Sequence, residues 1–127
     1  MVLTLLSAGC LCYGQETGVI NPGEIWPDNN GQHIQAHGGG VVKVGRTYYW
    51  YGEERRKGVE LDKKFRYVSC YSSRDLMNWK FRGDVLKLSS PDTAIAEGTL
   101  ILERPKVYYN SKTRKYVMYM HIDGTIT

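Results

Sequence analysis

One hairpin is written twice in this chain. Residues 38–53 read GGGVVKVGRTYYWYGE, and residues 103–121 read ERPKVYYNSKTRKYVMYMH. Aligning Tyr48 with Tyr116, an offset of 68 residues, superposes an apolar first strand, a turn and an aromatic return strand. Nothing else in the sequence restricts the fold as much. A lone hairpin cannot bury its apolar face, so a repeated one predicts a unit that stacks against its own copy. The architecture that stacks short antiparallel strands in this way is the β-propeller, which gathers ligand sites on its central axis.

The composition agrees with strands joined by tight turns. The 127 residues include 10 tyrosines and 14 glycines but only 2 phenylalanines. No segment keeps a 3.6-residue apolar period beyond a single turn, so the expected class is all-β. The predicted strands are 41–44, 47–51, 65–72 and 80–88, which make one four-stranded blade, then 103–109 and 115–121, which begin a second. Gly45-Arg46 reads as a hairpin turn, and 72–79 as a polar turn ending in the aromatic anchor Trp79. Residues 16–34, rich in Pro, Gly and Asn, read as an ordered arm, and the charged run EERRKGVELDKK (53–64) as an excursion from the core. An open last edge invites pairing with other chains, whereas a closed ring does not. The expectation is therefore about the first one and a half blades of a larger propeller, with the rest of the ring missing.

Charge and cysteines exclude several classes. The net charge of +4 is spread over turns and loops (Lys63, Lys64, Arg66, Lys112, Arg114). A nucleic-acid partner would need a basic stripe with aromatics on one face, so none is expected. Residues 1–15, MVLTLLSAGCLCYGQ, are uncharged and too short to span a bilayer. They match the apolar stretch and cleavage zone of a secretory signal peptide that lacks its basic start, as a truncated one would. The mature domain is then 16–127, secreted to the extracellular space or periplasm. Lipid anchoring is not expected, because Ser7 stands where a lipoprotein box carries an aliphatic residue. Removing that segment removes Cys10 and Cys12. Cys70 is left alone, which rules out a disulfide framework and reads as a small buried strand residue. No zinc-ligand spacing is present, and neither metal nor cofactor is expected.

Several polar residues fall where a pocket would form. Asp28, Gln35 and His37 precede the run Gly38-Gly39-Gly40, whose missing side chains leave room for another group to approach. Gln35 and His37 are expected on one strand face. Glu53 closes the first hairpin and Glu103 opens the second. Carboxylates at strand ends near an axis suit sugar hydroxyls or the tuning of a neighbouring acid. The plainer alternatives are an ion pair of Glu53 with Arg55, and of Glu103 with Arg104 or Lys106. Trp50, Trp79 and the tyrosines at 48, 49, 51, 108, 109, 116 and 119 are expected to be mainly blade core. Tyr51 is the exception, as a neighbour of Glu53. His121 and Asp123 end the last strand.

The segments IQAHGGGVVKVGRTYYWYGE, VSCYSSRDLMNWKFRGDVL and ERPKVYYNSKTRKYVMYMHID resemble the opening of glycoside hydrolase family 43. AHGGG and ERPKV resemble its exo-β-1,3-galactanase branch, and the likeness runs over residues 20–123. It implies a five-bladed propeller that hydrolyses plant polysaccharide, most specifically galactan side chains, with inversion. Inversion needs a general acid and a general base about 6.5–9.5 Å apart. Most of the family carries an aspartate base on the first strand, where this chain has Gly38–Gly40. The galactanase branch shares that departure, and the family's general acid lies in a third blade, beyond Thr127. By the same likeness, Glu103 would tune the acid's pKa and contact the sugar, and Glu53 would bind the terminal sugar. Gln35, His37 and Asp28 would line the pocket. Two other readings stand beside this one. The first is an arabinosidase or xylosidase of the family, which the missing aspartate opposes, and the second is a non-catalytic sugar-binding propeller.

Overall fold

The computed structural model describes residues 19–55, 65–89 and 101–123. The segment read as a signal peptide, most of the charged run and the loop around Pro91 lie outside the described residues. Within them are six strands, β1 (His37–Val44), β2 (Thr47–Glu53), β3 (Phe65–Ser73), β4 (Lys80–Ser89), β5 (Ile101–Asn110) and β6 (Lys115–Asp123). β1 to β4 form an antiparallel sheet in chain order, and β5 and β6 form a two-stranded sheet beside it. One four-stranded blade and half of another is the arrangement that the doubled hairpin predicts.

The two hairpins keep one pattern with different turns. Val44 pairs with Thr47 across Gly45-Arg46, and Gly45 has φ +59°, the left-handed conformation that glycine adopts without steric cost. Asn110 pairs with Lys115 across a longer turn. There the Asn110 side-chain oxygen accepts from the backbone N–H groups of Lys112 (3.0 Å) and Thr113 (3.1 Å).

Every strand is longer than the sequence reading placed it, while the starts at Thr47, Phe65, Lys80 and Lys115 and the end of β1 at Val44 fall where it placed them. The largest change is in β1, which begins at His37 rather than Val41. A register shift between His37 and Gly40 lets the glycine run stay in the sheet as a bulge. A Cβ on Gly39 would lie 1.9 Å from the Tyr51 carbonyl oxygen, so only glycine fits that step.

The core sits between the arm and the first blade. Ile34, Ala36, Tyr71 and Trp79 are buried, with Trp26, Tyr48, Trp50 and Phe81 packed against them. Trp50 links Trp26 and Trp79, with ring centroids 5.8 and 5.2 Å away. The arm is pinned to the β3–β4 turn. Trp26 Nε1 donates to the Met77 carbonyl (3.0 Å), and Asn29 N–H to that of Trp79 (2.9 Å). The turn itself is built on Ser73 and Asp75. Asp75 Oδ1 accepts from the N–H groups of Met77 and Asn78, while Trp79 Nε1 donates to the Leu76 carbonyl. These bonds seat Trp79 under the sheet.

The expectation that most tyrosines are blade core needs correction. Among the described tyrosines only Tyr71, which that list omitted, is buried; Tyr48, Tyr49 and Tyr51 are half-buried, and Tyr108, Tyr109, Tyr116 and Tyr119 are exposed. The physical reason is that a sheet of two strands offers its aromatic side chains little to pack against. They pair instead across the ladder, Tyr108 with Tyr119 and Tyr109 with Tyr116.

Candidate functional site

β5 packs beside β1 and β2, which brings the bulged starts of the two hairpins together. In β5 the register shifts between Glu103 and Lys106, as it does in β1 between His37 and Gly40. Arg104, inside that bulge, has φ +54°, and the ideal Cβ position on Gly38 lies 3.6 Å from its backbone nitrogen. Lys106 joins the two bulges. Its Nζ donates to the carbonyl oxygens of Gly38 (3.1 Å) and Gly39, and its chain occupies the space a Gly40 side chain would need. Lys106 therefore serves the glycine run and not Glu103.

Glu53 and Glu103 converge on one cation. Glu53 is buried, and its Oε2 accepts from Arg55 Nε at 2.8 Å. Arg55 Nη2 lies 4.0 Å from Glu103 Oε1, and Arg104 Nη2 lies 3.7 Å from Glu103 Oε2. Burial pushes the Glu53 carboxyl up from its ordinary value, Arg55 pulls it back, and the nearby Glu103 charge raises it again. The ion pairs that the sequence offered as plain alternatives are thus formed with Arg55 and Arg104. Arg55 is half-exposed, so the Glu53 pair contributes only about 0–1 kcal/mol to stability. Its consequence is geometric: carboxylates from two blades face one guanidinium, Glu53 bonded to it and Glu103 4.0 Å away.

Gln35 and His37 also meet, though not by strand alternation. Gln35 precedes β1 and is buried, whereas His37 is exposed. His37 Nε2 lies 3.3 Å from Gln35 Oε1, and the same oxygen accepts from the Arg55 backbone N–H at 3.0 Å. Gln35 N–H in turn donates to the Tyr71 hydroxyl at 2.9 Å. Gln35 is therefore the joint between the arm, β3 and the carboxylates.

Asp28 and Tyr51 stand apart from this cluster. Asp28 is buried, and its Oδ1 accepts from the N–H groups of Asn30 (2.7 Å) and Gln32 (3.1 Å), closing a loop of the arm. It lines a cavity of about 720 Å³ with Gln35, Glu54, Ser69, Tyr71 and Phe81, and neither Glu53 nor Glu103 reaches that wall. Tyr51 lies opposite Cys70 and bonds its thiol. Burial, and then Cys70, push the phenol up to about 12. Cys70 is free and buried, as read from the sequence. His121 pairs with Glu103 across the β5–β6 ladder and is exposed, and the Asp123 side chain lies outside the described set. Among the described residues no group of three or more His, Cys, Asp or Glu is placed to hold a metal ion, and no helix is long and apolar enough to cross a membrane.

The sequence reading offered Arg55 to Glu53 and Lys106 to Glu103, but it missed the approach of Arg55 to Glu103 and the bonds of Lys106 to the glycine run. Arg55 belongs to a charged run, and nothing local marks one arginine of that run as the partner of a glutamate in another blade. Lys106 carried a faint signal, since a lysine three residues after Glu103 falls level with the glycines once the hairpins are aligned.

No protein-family model and no curated protein matches the chain, whereas several solved structures do. An exo-β-1,3-galactanase from Phanerochaete chrysosporium, solved with galactose, is 42% identical with a TM-score of 0.65, over 81% of this chain and 23% of that one. An exo-β-1,3-galactanase from Clostridium thermocellum is 44% identical, with a TM-score of 0.62, over 83% of this chain and 21% of that one. A family 43 β-1,3-galactosidase solved with galactodeoxynojirimycin is 42% identical, with a TM-score of 0.67, over 82% and 30%. The chain belongs to glycoside hydrolase family 43. As a family 43 chain, it shows the first sheet as one propeller blade and β5–β6 as two strands of the next. It spans about a quarter of the length of the family 43 structures it matches.

Proposed function

We propose that this chain is the opening part of a secreted glycoside hydrolase that removes galactose from the ends of β-1,3-galactan with inversion. The observation that carries the reading is the convergence of Glu53 and Glu103, from two blades, on Arg55. Two carboxylates at adjoining strand ends present acceptors to the hydroxyls of one sugar ring, with Gln35 and His37 beside them. The similar structures support galactose as that sugar, since one was solved with galactose and another with β-1,3-galactotriose. Glu103 then contacts the sugar and tunes the general acid, and Glu53 holds the terminal residue. Asp28 and Tyr51 support the arm and the sheet from further away. The acid itself and the group that directs water are supplied from beyond Thr127. Residues 1–15 direct export.

On this reading residues 1–127 hold half of a binding site and no complete acid–base pair. Transcript sequence past Thr127, followed by assay of the encoded protein on β-1,3-galactan, tests it. The expected result is a glutamate at a strand end of the third blade and release of galactose with inverted anomeric configuration. A full-length protein that binds galactan without cleaving it would establish the sugar-binding module instead. Release of galactose by the 127-residue chain alone would overturn the division of the site.

A further inference from the structure

The Glu103 charge acts on Glu53, and one side chain faces both. Arg55 reaches Glu53 Oε2 through Nε and faces Glu103 Oε1 through Nη2, engaging one oxygen of each carboxylate. The root of that side chain is fixed too. Arg55 N–H donates to Gln35 Oε1, Gln35 is buried, and its own N–H is held by the Tyr71 hydroxyl. One residue earlier, Glu54 N–H donates to the Tyr67 carbonyl, so the backbone leading to Arg55 stays tied to β3. A planar guanidinium with several donors can brace two carboxylates at a set separation, which a lysine's single point charge does less well.

We propose that Arg55 is a positioning residue, a strut that sets the spacing of Glu53 and Glu103 so that the pair can accept from the hydroxyls of one sugar. The role in sugar binding rests on the galactan reading, whereas the strut itself does not. Besides Arg55, the charged groups acting on Glu53 are Glu103 and Arg66. Without the strut the two carboxylates repel directly.

The experiment is a carbon-detected NMR titration of the 127-residue chain labelled at its glutamate carboxyls, with and without galactose. Arg55→Met should raise the Glu53 midpoint by about one pH unit or more. Adding Glu103→Gln should lower it again, and by more than Glu103→Gln does when Arg55 is present, because the arginine no longer screens the pair. Arg55→Lys should return the Glu53 midpoint towards that of the parent chain but leave the galactose response at Glu53 weakened at least tenfold, since charge is kept and the fork is lost. An unmoved Glu53 midpoint in Arg55→Met, or an equal Glu103→Gln effect in both backgrounds, would overturn the strut. If Arg55→Met does not fold, an undiminished galactose response in Arg55→Lys overturns it instead. The parent chain's galactose response is a separate test: its absence would sink the sugar reading, and the Glu53 midpoints would still decide the strut.

Discussion

His37 and Glu103 occupy equivalent steps of the two bulged hairpins. His37 stands opposite Glu53 at the start of β1, and Glu103 stands opposite His121 at the start of β5, each just ahead of the register shift. The second hairpin thus carries the histidine–glutamate pair of the first with the two residue types exchanged. The exchange puts one carboxylate on the return strand of the first blade and the other on the first strand of the second, the two strands that Arg55 spans.

In a longer protein that contains this segment, Glu103→Gln should lower galactan turnover by about 100-fold or more, the low end for losing an assisting acid–base group. Stability should change by less than about 1 kcal/mol, because Glu103 is partly exposed and its ion partners are at the surface. Galactose release and thermal melting measure the two effects, and unchanged turnover would remove Glu103 from the site.

Gly39 and Gly40 should respond differently to alanine. At Gly39 the new Cβ meets a backbone carbonyl at 1.9 Å, and relieving that contact means breaking the β1–β2 ladder, at a cost of about 3 kcal/mol or more. At Gly40 it meets Lys106 Cδ at 2.7 Å, and a flexible side chain gives way for about 1 kcal/mol. Urea unfolding of each variant gives the comparison. In a Lys106→Ala background the Gly40 substitution should become almost neutral, and an unchanged cost would show that Lys106 is not the obstacle.

Asp75 should shape the acid side of the stability curve. Bonds from the Asn78 side chain, the Asn78 and Met77 N–H groups and Ser73 hold its carboxyl well below the usual range. A depressed folded-state pKa gives stability that is full above the unfolded value near 4 and is lost as pH falls below it. The melting temperature of the parent chain should therefore drop more steeply than that of Asp75→Asn below pH 4, and parallel curves would contradict this.

Tyr51 should act on the alkaline side. Its phenol is pushed from about 10 up to about 12, so the folded chain keeps a proton that the unfolded chain releases. The stability this contributes is present below pH 10 and is lost as pH rises from 10 towards 12. Phenolate absorbance should show a component ionising near 12 that Tyr51→Phe removes, and the same substitution should flatten the loss of stability over that window. Uniform titration of all tyrosines near 10 would refute it.

Hairpin patterning, turn residues and the anchor Trp79 were legible because they are local. Gly45 and the Ser73–Asp75 turn follow from backbone preferences and local hydrogen bonds, which need no distant partner. The reach of β1 was not legible, because three glycines weaken a strand unless something holds them. Here Lys106, from another blade, does. Asp28 does line a cavity with Gln35, but that its carboxylate closes its own loop, away from Glu53 and Glu103, was equally beyond a local reading.

The sequence by itself determined that the chain is all-β, that its unit is a hairpin repeated with a fixed offset, and that glutamates sit at the ends of the two copies. Only the tertiary structure decided which charges meet. Arg55 and Glu103 are 48 residues apart. Their approach depends on the packing of β5 against β1 and β2, and on the paired bulges that turn both strand starts to one place. Electrostatic partnership is set by distance in space, and a charged run written along the chain carries no record of it.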